Sequence, residues 1–308
     1  MSVMKTYTTG CPVNEGVLWT YLSLEEIVGK LAEQGIELST FVERRLLQAH
    51  EISKRKMQKT GTIEEVPHRD EQLENIGQLV EEFARQGQVV TSIDTKKKET
   101  LGQLFRPGEV YAEQSLKVFD HDFVSLQEGL VVLHGIYDIV RNEALINLGD
   151  SKDTDEFVFD SLLLWWQQHG QIHYPNAKQG LLLCDGGGSN NCRHYVFKEA
   201  IQKLANTIGV AIGVAHYPTY CSKYNPIEHR VFPHVTKALD GEVLDSAQTV
   251  KELIETRAGT KTGLKVFANV IGKTYEKGKK AAQEFLDKFP IIFDETLPKW
   301  NYQAIPID

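Results

Sequence analysis

The chain has little of several things, and each shortage closes a class of function. No run of about 18 apolar residues occurs in its 308 positions, so no membrane-spanning helix is expected. The first residues, Met1 to Tyr7, lack the charged-then-apolar order of a secretory leader, which points to the cytoplasm. Cysteine is scarce: Cys11, Cys184, Cys192 and Cys221 are too few to staple a chain of this size. Cys184, Cys192, His194, His216 and Cys221 cluster in sequence, but with no CxxC or HExxH spacing, so structural zinc is not expected there. No GxSxG elbow surrounds Ser222, and neither a P-loop nor a dinucleotide fingerprint is present. No excess of basic residues exists either. The formal charge of -8 argues mildly against a polyanionic partner.

The charge is uneven, however. Between His50 and Lys59 the chain carries Lys54, Arg55, Lys56 and Lys59 against the single acid Glu51, so a basic surface can coexist with an acidic total. The composition, 41% hydrophobic and 25% charged, is that of an ordinary globular protein with room for a small module and one large domain. No internal repeat or low-complexity tract interrupts it.

Residues 24–50 read as two short helices joined by a tight turn. Ser23 with Glu26 forms a capping box, Leu24, Ile27, Val28 and Leu31 have helical spacing, and Gly35 suits the stop. Thr40 with Glu43 is expected to cap the second helix, with Phe41, Val42, Leu46 and Leu47 on its apolar side and Arg44 and Arg45 beside them. This fits a helix-turn-helix over 15–60; the same spacing also fits any helical hairpin. A linker helix is expected within 61–87. From residue 88 to 308, strands and helices alternate in the order β-β-β-α-β-α-β-α. Such an order predicts an α/β domain with a mixed sheet flanked by helices.

Three acids stand out. Asp94 follows the apolar run Val89 to Ile93, and Asp185 follows Leu181-Leu182-Leu183-Cys184. Acids just past strand ends, on neighbouring strands, would form a hard oxygen site suited to Mg²⁺. Two carboxylates that close repel unless a cation lies between them. A strand-end Asp also serves as a plain turn residue. Glu228 is ambiguous, because Asn225-Pro226-Ile227-Glu228 is a helix start in which a capping box alone explains the acid. Gly186-Gly187-Gly188-Ser189-Asn190 allows a phosphate or DNA backbone to come close to Asp185.

Three segments together resemble a known family: Thr91 to Glu99, Cys184 to Asn190, and Ser222 to Arg230. They are similar to insertion-sequence transposases of the Rhodopirellula-type DDE domain family. Asn225-Pro226-Ile227-Glu228 also resembles the corresponding segment of mariner-like transposases. Further similarity lies at Gly135 to Asp138, Trp165-Trp166, Lys261 to Lys265 and Trp300 to Tyr302, so the resemblance covers roughly residues 15–305.

The resemblance implies a ribonuclease H-like fold with the triad Asp94, Asp185 and Glu228 as catalytic and metal-binding residues. It implies two Mg²⁺ ions, replaceable by Mn²⁺, lying about 3.5–4 Å apart in two-metal phosphoryl transfer. The implied partners are DNA, both element terminal repeats and target, and a second copy of the chain on paired ends in the nucleoid. Arg44, Arg45, Lys96, Lys97, Lys98 and Lys223 are the expected DNA contacts; a solvated charge run equally explains Lys96 to Lys98. The chain starts close to its helix-turn-helix, where family members commonly carry more helical sequence. The alternatives are therefore a truncated copy acting as a non-catalytic DNA-binding regulator, or a nuclease of the same fold.

Overall fold

The structure is a computed structural model, and it describes residues 8–11, 14–20, 22–55, 66–119, 124–149, 152–186, 194–276 and 278–307. Two compact units divide at residues 63 and 64. In the first, strands β1 (Thr8–Cys11) and β2 (Asn14–Thr20) pair antiparallel. Helices α1 (Leu24–Ala32) and α2 (Thr40–Ala49) follow. The Ser23–Glu26 capping box is present in both directions, as its residue types require. For α2 the cap is Ser39, one residue earlier than expected, its hydroxyl accepting from the Val42 N–H. Phe41, Val42 and Leu46 are exposed, while Arg44 and Arg45 also face solvent. The basic linker residues Lys56 and Lys59 lie outside the described residues.

The second unit begins with α3 (Arg69–Arg85). The sequence reading treats this helix as a linker, but it packs on the sheet. Ile76 is buried against Val90, Leu181 and Leu183, with Leu73, Leu79, Val80 and Phe83 beside it. An apolar stripe at helical spacing needs an apolar partner surface, and the sheet supplies it.

After α3 come β3 (Val89–Leu101), β4 (Gly129–Asp138), β5 (Glu143–Gly149), α4 (Asp155–Trp165) and, after a wide π-turn at Trp166–Gly170, the short α5 (Gln171–His173). Then follow β6 (Gln179–Cys184), α6 (Tyr195–Ile208), β7 (Ala211–His216), α7 (Pro226–Arg230), α8 (Phe232–Ala238) and α9 (Ala247–Arg257). The unit closes with β8 (Lys265–Ile271), α10 (Gln283–Lys288), β9 (Ile292–Phe293) and β10 (Asn301–Ala304). Helix α4 is capped by Thr154, its hydroxyl accepting from the Phe157 N–H at 3.3 Å.

The eight strands form one mixed sheet in the order β8-β5-β4-β3-β6-β7-β10-β9. Its centre, β5-β4-β3-β6-β7, is an antiparallel meander continued by two parallel strands, the ribonuclease H-like arrangement. One face carries a core shared with α7, α8 and α9, including Leu133, Tyr137, Ile227, Phe232 and Ile254. The other carries Ile93, Ile136, Leu145, Val158, Phe197 and Ile201 under α4 and α6. Strands with both faces covered read as near-continuous apolar runs, which is why β4, β5 and β6 are legible by eye.

Candidate active site

Strand β3 does not end at Asp94. Its parallel pairing with β6 stops near Ser92, opposite Leu183, but its antiparallel pairing with β4 runs on to Leu101, opposite Gly129. Asp94 therefore sits in mid-strand, at the point where one neighbour has left and the other continues. The polar stretch from Thr95 to Thr100 is a strand rather than a loop because half-covered antiparallel ladders tolerate polar positions.

The register places the first two acids. In the parallel ladder Ser92 lies opposite Leu183, so two residues further Asp94 is level with Asp185 on the adjacent strand line. Residues at matched parallel positions share a face, and so do residues two apart along a strand. Ser92, Asp94 and Asp185 thus face the same way, toward α7.

The third acid arrives by a docking interaction. Ser92, fully buried, donates from Oγ to Asn225 Oδ1 at 2.5 Å and accepts from the Ile227 N–H at 3.1 Å. Asn225, also fully buried, donates from Nδ2 to the Ile93 carbonyl at 3.0 Å. The Asn225 side chain makes no capping bond to α7. The capping-box explanation of Glu228 is thereby corrected: Asn225 turns onto β3 instead, where it satisfies a buried serine and a buried carbonyl.

Gly135 makes the approach possible. It lies opposite Asp94 on β4, hence on the same face, and a Cβ there would meet Ile227 Cδ1 at 2.6 Å and Phe232 Cε1 at 2.9 Å. Its missing side chain lets α7 and α8 settle onto the sheet, with Glu228 in the first turn of α7.

The three carboxylates act on one another. Asp94 is only 8% exposed, and burial first of all, then the charge of Asp185, then a side-chain hydrogen bond with Glu228 and its charge, push its pKa up to about 9. The Thr95 N–H, donating to Asp94 Oδ1 at 2.7 Å, opposes this only in part. Glu228 and Asp185 are half-buried. Such a group holds a proton unless a cation replaces it, and an all-carboxylate donor set suits a hard divalent ion. The residues present fit such an ion.

Behind Asp185 lies His216, fully buried at the end of β7. Its Nδ1 is 3.2 Å from the Asp185 carbonyl oxygen, which only accepts, so Nδ1 carries the proton and Nε2 accepts from the Tyr302 hydroxyl at 3.2 Å. Burial pushes this imidazole down to about 4, so it stays neutral. His216 is thus a positioning residue for the Asp185 peptide, and the buried Cys184 thiol lies beside it, Sγ 3.3 Å from Nδ1. Gln72 of α3 ties the same region together, donating to the His216 carbonyl at 3.0 Å and to Asn301 Oδ1 at 2.8 Å.

The expected DNA contacts fare unequally. Lys96 is ion-paired with Glu99, which also takes Arg106 at 2.6 Å, all three side chains being nearly buried. Lys97 is exposed and Lys98 half-buried. Lys223 is exposed, its Nζ 5.0 Å from the Tyr224 ring centre. Gly187, Gly188, Ser189 and Asn190 lie outside the described residues; Gly186 is half-buried, and a Cβ there would come within 3.2 Å of the Tyr217 carbonyl. The sequence reading missed the roles of Ser92 and Gly135, which only strand register discloses.

With this geometry in place, residues 1–306 match the family described as the Rhodopirellula transposase DDE domain. The chain belongs to that family. It is a DDE transposase, a polynucleotidyl transferase by class. No match is found among curated proteins. Among solved structures, it is similar to the Mos1 transposase paired-end complex with left transposon end, at 16% identity and a TM-score of 0.44, covering 79% of this chain and 73% of that one. It is also similar to the Mos1 mariner paired end complex with Mn, at 12% identity and 0.45, covering 79% and 69%. The Mos1 strand transfer complex is similar at 13% and 0.44, covering 79% and 68%. Among the described residues no helix is long and apolar enough to cross a membrane.

Proposed function

We propose that this DDE transposase cleaves the ends of its own element and joins them to target DNA at a centre formed by Asp94, Asp185 and Glu228. The observation that carries this reading is the docking of Asn225 on Ser92 and Ile93, which brings Glu228 onto the face where Asp94 and Asp185 are level. A capping glutamate needs no such anchor.

Asp94 and Asp185, on neighbouring strand lines, would hold divalent ions between them, and Glu228 would complete the set from α7. Two Mg²⁺ ions, replaceable by Mn²⁺, would when bound activate the attacking hydroxyl and stabilise the leaving oxygen. The chain's own part is geometric. The Ser92–Asn225 anchor holds Glu228 in place, and His216 holds the Asp185 peptide. Lys97, Lys98 and Lys223 would hold phosphates, whereas Lys96 is paired with Glu99 on β3. Arg44 and Arg45 on exposed α2 would contact the terminal repeat, and two copies would act on paired ends in the nucleoid. A non-catalytic regulator would have no need of three carboxylates gathered on one face.

Purified protein with Mg²⁺ or Mn²⁺ is expected to nick and join duplexes carrying the element's terminal repeats, and Asp185→Ala to abolish both. No reaction on those repeats would defeat the proposal. Cleavage indifferent to the repeats would favour a nuclease of the same fold.

A further inference from the structure

We propose that Glu143, His169 and His173 form a second metal site, separate from the three carboxylates, that takes a zinc-class divalent cation. One ligand atom from each residue lies within 4.8 Å of the other two. His173 Nε2 is 3.3 Å from Glu143 Oε2. Two ligands on a tetrahedral zinc, at bonds of about 2.0–2.1 Å, stand about 3.3–3.4 Å apart, so this edge already has the required length.

The backbone is built for the convergence. His169 and His173 are four residues apart on one continuous helical run through the π-turn and α5, and that spacing puts both rings on one side. The wide turn itself depends on Gly170, where a Cβ would lie 2.5 Å from Trp166 Cε3. Turns of this kind often mark functional sites. Glu143 comes from the first residue of β5, opposite Asp138, which in turn lies next to Ile139 at the far end of β4. Asp138 is opposite Thr91 on β3, so the cluster sits on the face of the sheet away from Asp94 and three residues further along.

A simple ion pair accounts poorly for this group. Glu143 already has two cations, Lys265 Nζ at 2.9 Å from Oε1 and Arg141 Nε at 3.3 Å from Oε2. Two further imidazoles are not needed to balance its charge. The contact between His173 and Glu143 engages two of the three groups and leaves His169 facing the same point. A cation satisfies all three. The Lys265 contact on the other carboxylate oxygen then acts as the outer-shell support that metal-bound carboxylates commonly have. Asp138, which lines the same pocket, is taken by the N–H groups of Val140 and Arg141 and by the Tyr174 hydroxyl, so the fourth position falls to water.

The test uses the full chain, stripped with chelator and then held in excess Mg²⁺ to occupy the carboxylate site. Titration with Zn²⁺ is expected to bind one equivalent by calorimetry and metal analysis, and Co²⁺ to give the intense visible absorption of a four-coordinate site. The double variant H169A/H173A should weaken binding at least 100-fold and lose the Co²⁺ band, while Asp185→Asn keeps both. If the double variant fails to fold by circular dichroism, Glu143→Gln decides, with at least a tenfold loss expected. No bound equivalent overturns the proposal, as does binding retained in the variants or lost in Asp185→Asn.

Discussion

Replacing Asn225 with Ala tests the anchor on which the site depends. The amide makes two buried contacts: Oδ1 accepts from Ser92 Oγ at 2.5 Å, and Nδ2 donates to the Ile93 carbonyl at 3.0 Å. Alanine leaves the Ser92 O–H without its acceptor and the Ile93 carbonyl without the Asn225 donor in a region closed to solvent. Each such loss costs about 1–3 kcal/mol, so Asn225→Ala should lose about 2–6 kcal/mol in urea unfolding. Ser92→Ala breaks the same contact and also strands the Ile227 N–H, so the two changes share one interaction. The double variant should therefore lose less than the sum, by roughly 1 kcal/mol or more. Activity should fall further than stability implies, because a displacement of about 1 Å in a catalytic group costs on the order of 100-fold. Strand cleavage is measured at a temperature where both variants remain folded. A variant as stable as the parent, additive losses in the double variant, or full cleavage activity would refute the reasoning.

Gly135→Ala should destabilise by about 1–3 kcal/mol through overpacking against Ile227 and Phe232, and lower cleavage with it; unchanged melting would show that α7 does not rest on that strand position. Burial pushes the Glu99 carboxyl up, but hydrogen bonds and charge from Lys96 and Arg106 outweigh it and hold its pKa below the ordinary 4.5. Its stabilising contribution is thus present above pH about 4.5 and is lost as the pH falls through the lower folded value. Glu99→Gln should accordingly flatten the acid limb of a stability–pH curve and leave the slope near neutrality alone. Arg44→Ala and Arg45→Ala should each reduce the slope of log affinity against log salt for terminal-repeat duplexes by about one, as measured by fluorescence anisotropy; an unchanged slope would remove α2 from the DNA interface.

Much of this protein is legible without coordinates. The apolar runs of β4, β5 and β6 and the Ser23–Glu26 cap announce their places because local pattern and local chemistry coincide there. Strands β8 and β10 are harder to read: β8 alternates in burial along its length, and β10 is four residues long. Their partners, Glu143 to Gly149 and Ile212 to Ala215, lie far away in the chain. The linker reading of α3 fails for the same reason, since its apolar stripe does not reveal which surface it covers.

What the amino-acid sequence determined by itself is the chemistry on offer: three acids in order, an Asn-Pro turn before the third, and glycines after the second. Only the tertiary structure decided how those residues are arranged. Register made Asp94 and Asp185 level, although Asp94 lies within a strand and not at its end. A glycine opposite Asp94 opened the space for α7, and Asn225 gave up its capping role to bind β3. The reason is physical. Spacing along the chain governs a hydrogen bond three residues away, whereas the carboxylate cluster depends on contacts more than 130 residues apart, which no local pattern encodes.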